Sequence, residues 1–207
     1  MLVRGHVRDY NRFDSAAARL GPRVKYYAHT AVNSEGKPDP NPANWQLLST
    51  HLRNVAELAK RFAEPLGLAA EAELAGLLHD LGKYASRFQA RLHDNSIHGI
   101  NHWAAGTAHA GETLKQLAVA FAVDGHHTGI PALDGAGSLK QTVKRRADQK
   151  AWQEWTGCVE SNLELLDRQR ESDGLQLPSL PRRAVKDFPP LCACGLRGST
   201  GSSRSMT

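Results

Sequence analysis

The 207-residue sequence holds only three cysteines, Cys158, Cys192 and Cys194. Their number is odd and no CxxC pair exists, which excludes a disulfide framework and the usual zinc-clip spacing. They read as reduced thiols of a cytoplasmic protein. Long apolar runs are absent too. Nothing approaches the ~20 residues that span a bilayer, and the opening MLVRGHVRDY lacks the apolar stretch of a signal peptide. The chain is therefore expected to be soluble, with no membrane partner. No stretch alternates apolar and polar residues as a half-buried strand would. There are no internal repeats and no GxxxxGK[ST] phosphate loop, so these residues hold no P-loop motor.

What is present is helical punctuation. Apolar residues make up 41% of the chain, enough for a core. The run NWQLLSTHLRNVAELAKRFAE predicts a helix over residues 45–64, with a stripe of Leu48, Leu52, Val55, Leu58, Ala59 and Phe62. Pro65 and Gly67 stop it. AAEAELAGLLHDLG predicts a second helix with Leu74, Leu77, Leu78 and Leu81 on one side. ASRFQARL predicts a short third, and residues from about Trp103 to Val123 a long fourth, with Leu114, Leu117 and Phe121. The fold class is all-α, helices packed around a polar centre. Residues 1–136 form the predicted domain. From 137 onward the basic SLKQTVKRRADQK has the pattern of a short amphipathic helix, while the Pro-rich LPSLPRRAVKDFPP and the closing GLRGSTGSSRSMT predict an insert or largely irregular tail.

The net charge of +5 suits a polyanionic partner, but the ten histidines say more. His51 falls in register with Val55, Leu58 and Phe62, which predicts that it faces inward. His79 and Asp80 end the second apolar helix, His102 begins the fourth, and His126 and His127 follow its end at a break that Gly125 and Gly129 permit. Taken singly, each is more often a hydrogen-bonded core group or a surface residue than a ligand. As an ordered set, H…HD…H…HH, they supply imidazole and carboxylate, the ligands of divalent transition metals. Six candidates exceed one structural zinc and suffice for two ions if Asp80 bridges them. His29, His93, His98 and His109 are not needed by the pattern, although YYAHT places His29 as a candidate neighbour of the site.

These segments carry a resemblance. YYAHT, NWQLLSTHLRNVAELA, LAGLLHDLGKYASRFQARL, NHWAAGTAHA and GHHTGIP resemble the HD nuclease domain of the CRISPR-associated helicase-nuclease of type I systems, within the HD superfamily of metal-dependent phosphohydrolases. The match covers about residues 24 to 131. It implies a helical HD bundle around a two-metal site that cuts single-stranded DNA in antiviral defence. Ligand roles fall on His51, His79, Asp80, His102, His126 and His127, and Lys83 matches the family's lysine near the scissile phosphate. Asp80 is expected to bridge, with His51 and His79 on one ion and His102, His126 and His127 on the other. The imidazole-rich shell favours manganese, iron, cobalt or nickel over magnesium, which prefers oxygen. Arg53, Arg87 and Arg91 are candidate phosphate guides. The implied partners are single-stranded DNA, a helicase domain or subunit, and a CRISPR RNA-guided surveillance complex.

Two departures from the family pattern matter. The family often has Ser or Glu after the third-motif histidine, where this chain has Trp103. It also ends its last helix in a Ser-x-Leu-x-Asp-Ala-Asp-like run that supplies a further ligand, whereas this sequence reads LCACGLRGSTGSSRSMT after Pro190. A frameshift near residue 190, or an equivalent truncation, is the expectation drawn from that. Alternative readings are an HD phosphohydrolase acting on a nucleotide or cyclic dinucleotide, and a non-catalytic metal-binding remnant. The Gly-Tyr-Pro signature of cyclic-dinucleotide phosphodiesterases is missing from TGIPALDGAG.

Overall fold

A computed structural model describes residues 24–129, scattered positions from 132 to 148, and residues 148–157 and 163–180. All three cysteines and the expected frameshift region lie outside these residues, and SLKQTVKRRADQK is only partly within them.

The described residues include α1 (Leu48–Ala63), α2 (Ala69–Leu78), α3 (Ser86–His93), α4 (Ala104–Ala108), α5 (Leu117–Thr128), α6 (Gln149–Thr156) and α7 (Leu163–Ser172). The all-α expectation holds. The core joins Leu48, Leu52 and Ala56 of α1 to Leu74, Leu77 and Leu78 of α2. It continues through the alanines of α4, Val119, Ala120 and Val123 of α5, and Trp152, Leu163 and Leu166 beyond. α1 and α2 lie backbone to backbone: a Cβ at Gly76 would meet Ala56 Cα at 2.4 Å.

Several details differ from the sequence expectation. In α1 the buried side is Leu48, Leu52 and Ala56, while Leu58 and Phe62 are 52% and 75% exposed. The face that carries His51 is covered only at its first turns, so the apolar stripe overruns the packed surface. The long fourth helix is two helices. After a π-helical turn (His109–Thr113), Lys115 takes a left-handed φ of 57° and the Gln116 N–H donates to the Ala110 carbonyl, which closes one helix before the next begins. A non-glycine residue in that region costs about 1–2 kcal/mol, and because a lysine stands where glycine is usual the sequence carries no obvious stop there. α5 then runs through His126 and His127 to Gly129, so the two histidines lie in its last turn rather than beyond a break.

A two-stranded ladder was not anticipated. β1 (Tyr27–His29) pairs antiparallel with β2 (Gln46–Leu47), and elements this short have no period to read. The largest difference lies after residue 137, where an irregular segment was expected. α6 and α7 pack on the same core, with Trp152, Leu163, Leu166 and Leu175 buried. Arg170 is also buried there; it donates to Asp167 Oδ1 (2.6 Å) and to the Leu175 carbonyl. A charged residue at an inward position hides the apolar face of α7 from a pattern reading.

No helix among the described residues is long and apolar enough to cross a membrane.

Candidate metal centre

The centre is built around the end of α2. His79 caps that helix, and its Nδ1–H donates to the Gly76 carbonyl at 2.8 Å. A carbonyl only accepts, so Nδ1 carries a proton and Nε2 is the ring atom that faces the site. His126 in α5 repeats the device: its Nδ1–H donates to the Val123 carbonyl at 2.6 Å. Asp80 leaves the helix at φ −114° and is buried beneath these rings.

Imidazoles converge on both carboxylate oxygens of Asp80. On Oδ2, His51 Nε2 and His79 Nε2 each lie at 3.0 Å, and Lys83 Nζ at 2.9 Å. On Oδ1, His102 Nε2 stands at 3.4 Å and His126 Nε2 at 3.9 Å. His127 Nε2 is 2.8 Å from His102 Nε2, and the Trp103 ring packs against the His127 ring with centroids 4.6 Å apart. Trp103 thus backs the His127 ring. All six predicted ligands are brought together, and Lys83 joins them.

Close backbone packing holds the two halves in place. Gly82 donates its N–H to the His102 carbonyl at 3.0 Å, and a Cβ there would meet that oxygen at 2.3 Å. Only a glycine lets the 102 segment approach the Asp80 turn this closely. From behind, Asn101 N–H donates to the Thr156 carbonyl at the end of α6, and Asn101 Oδ1 accepts from Ala104 N at the start of α4. The helix that sequence reasoning missed therefore buttresses the loop of His102.

His29 lies outside the H…HD…H…HH pattern, and β1 delivers it to the centre, as the YYAHT segment suggests. Its ring packs edge-on to His51, and its Nε2 lies 3.3 Å from Lys83 Nζ. Gln89 of α3 fixes β1 by accepting from Tyr27 N–H and donating to the Tyr27 and Lys83 carbonyls. The only signal in the sequence was YYAHT itself. Of the other three histidines, His93 packs on Trp45, His109 faces Asp167, and His98 lines the rim of the cleft.

The electrostatics suit a cation. Burial opposes ionisation of Asp80, but hydrogen bonds from His51 and His79 and the nearby charges outweigh it and hold the carboxyl well below the usual range. Burial pushes His102 down to about 3 despite the Asp80 charge. Burial likewise lowers His126, and burial with the Lys83 charge lowers His29. At His29, His102 and His126 the lowering favours neutral imidazole beside an ionised carboxylate, the protonation states that metal binding requires. Asp80 Oδ1 is buried without a hydrogen bond, which is costly unless a ligand supplies a partner. Two groups have ligand atoms all within 4.8 Å of one another: Asp80 with His102, His126 and His127, and Asp80 with His29 and His51. The donor set fits divalent metal.

The site opens into a cleft of about 840 Å³. Arg91 lines it. Arg53 does not; it lines a second cleft with Lys60, Arg61 and Leu175. Arg87 is exposed and lines neither.

The sequence pattern of the HD domain matches residues 48–166, more than half of the chain. This chain belongs to the HD domain family. The match crosses residue 137 and takes in α6, as the shared core does. HD domains are metal-dependent hydrolases of phosphate esters, and the His79–Asp80 pair is the dipeptide that names them. No curated protein matches the chain.

Proposed function

We propose that this HD domain is a metal-dependent nuclease that cuts single-stranded DNA in type I CRISPR interference, working with a helicase domain or subunit and an RNA-guided surveillance complex. The observation that carries the reading is the division of Asp80: each carboxylate oxygen faces its own set of imidazoles. His51, His79 and Asp80 would hold one divalent cation, and Asp80, His102, His126 and His127 a second. When bound, such a pair supplies Lewis acidity toward a phosphodiester and lowers the pKa of water at neutral pH.

The protein's own groups do the rest. His79 and His126, pinned through Nδ1 to backbone carbonyls, keep their Nε2 lone pairs aimed at the centre with no reorganisation. Lys83, which lines the cleft, offsets charge that builds on the phosphoryl oxygens. Arg91 at the cleft wall is placed to meet the sugar-phosphate backbone, while the position of Arg53 in another cleft and of Arg87 outside both gives them no such support. A cleft walled by helices admits one strand more easily than a duplex, which favours single-stranded substrate. The nitrogen-rich shell favours manganese, iron, cobalt or nickel.

The test compares release from a single-stranded oligonucleotide, a cyclic dinucleotide and a nucleoside triphosphate, on protein whose metal content is measured. Cleavage of the oligonucleotide alone supports the nuclease. Turnover of either other substrate moves the assignment to nucleotide chemistry, and bound metal without turnover of any of them marks a binding remnant.

A further inference from the structure

The Lys83 ammonium is buried, and each of its partners is an acceptor. It lies 2.9 Å from Asp80 Oδ2, 3.3 Å from the Ala28 carbonyl and 3.3 Å from His29 Nε2. An ammonium has three donors and no lone pair. His29 Nε2 therefore presents its lone pair to Lys83, and so does Asp80 Oδ2. These are the electron pairs that a metal ion would take. His29, His51 and Asp80 offer ligand atoms all within 4.8 Å of one another. That spacing fits one cation at the usual metal–nitrogen and metal–oxygen lengths of roughly 2.0–2.2 Å.

We propose that His29 is a metal ligand on the Oδ2 side of Asp80, and that a divalent cation and the Lys83 ammonium compete for His29 and Asp80. This rests on the metal-dependent reading above and deepens it. The positions of the two charges are too close for both to be held. Without metal, Lys83 neutralises Asp80 and keeps the half-site assembled. Cation entry takes the His29 and Asp80 lone pairs and frees the lysine. Its Nζ is already 5.3 Å from the Phe88 ring centroid, and Lys83 and Phe88 both line the cleft. The freed ammonium thus has a face to rest on where substrate would lie, so loading of metal and presentation of Lys83 to a phosphate are one event.

The test is calorimetric titration of manganese into metal-free full-length chain, with circular dichroism on every variant. His29→Ala should weaken the first equivalent by about tenfold or more, since a direct ligand is lost, and leave the second near its wild-type affinity. Lys83→Met should do the opposite and tighten the first equivalent by about tenfold or more, because a competing charge is removed. Lys83→Arg keeps the charge and should not tighten it. A residue with only a structural role does not produce tightening on removal. If Lys83→Met fails to fold, Lys83→Gln makes the same measurement. Unchanged affinities in folded His29→Ala and Lys83→Met overturn the competition while leaving the metal-dependent reading intact. Failure of the wild-type chain to bind manganese, cobalt or nickel overturns both.

Discussion

The two oxygens of Asp80 face differently furnished halves of one cleft. The Oδ2 half is crowded: His51, His79 and Lys83 all lie within 3.0 Å of the oxygen. Its histidines come from α1, from the end of α2 and from β1. The Oδ1 half has no hydrogen bond to the oxygen, and its nearest imidazoles stand at 3.4 and 3.9 Å. Its side chains come from the 102 loop and α5, and the loop is braced by α6. One half carries an internal cation and is satisfied without a ligand. The other is left with a buried acceptor that only a ligand would satisfy. Should Asp80 bridge two ions as proposed, halves furnished this differently would hold them with unequal affinity.

The largest disruption removes what the halves share. Asp80→Ala should abolish phosphodiester cleavage, a loss beyond the roughly 10–100-fold typical of a residue behind the ligands, and release both metals. The helices should persist in circular dichroism. Wild-type cleavage after metal repletion would break the two-sided account.

Substitutions within one half should separate them. His51→Ala is expected to lose mainly the Oδ2-side equivalent, and His126→Ala mainly the Oδ1-side equivalent. Elemental analysis decides: full occupancy in either variant would remove that residue from the ligand set.

The seam between the halves can be loosened without touching a ligand. A Cβ at position 82 would meet the His102 carbonyl at 2.3 Å, so Gly82→Ala forces backbone apart and should cost about 1–3 kcal/mol of stability. Because the displaced segment carries His102, the Oδ1-side metal should be lost first. Denaturant unfolding and metal content measure the two effects, and loss of the Oδ2-side metal instead would contradict the seam.

Much of this centre was legible in the sequence because polar residues interrupt apolar helices at their ends. His79 and Asp80 close a leucine-rich helix, and burial of such a pair demands partners. For His29 only its nearness to the site was legible: its strand is three residues long, and pairing with β2 and the clamp by Gln89 are long-range effects. The stop at Lys115 was hidden because the usual glycine is missing there. α7 was hidden because it packs an Arg170–Asp167 pair inward beside its leucines. In α1 the reverse occurred: Leu58 and Phe62 continue an apolar stripe over which nothing among the described residues packs closely enough to bury them.

Acid should weaken both halves together. His102 lies at about 3 in the folded chain, and His29 and His126 are also lowered from the ordinary 6.5. The unfolded chain therefore binds protons first, so stability is full above about pH 6.5 and falls as pH drops toward 3. Asp80, held below its ordinary 3.8, adds a loss of the same sign at lower pH. Denaturant midpoints of metal-free protein should decline with acid, and His102→Asn should flatten the decline. A slope unchanged by that substitution would mean that His102 does not contribute.

Solution conditions act on both halves without a substitution, and the choice among metals should have the smallest effect. Chelator should stop cleavage, and manganese, cobalt or nickel should restore it better than magnesium. Binding of single-stranded DNA should weaken with added salt as phosphate contacts release counterions. Full activity with magnesium alone would show that the imidazole shell does not select the metal.

The most direct measurement is anomalous diffraction from crystals of the full chain grown with manganese. The account predicts two peaks flanking Asp80, one contacting Oδ2 with His29, His51 and His79, the other contacting Oδ1 with His102, His126 and His127, with Lys83 withdrawn from the carboxylate. A single peak, or two peaks on the same oxygen with Lys83 still bound to Asp80, would contradict it.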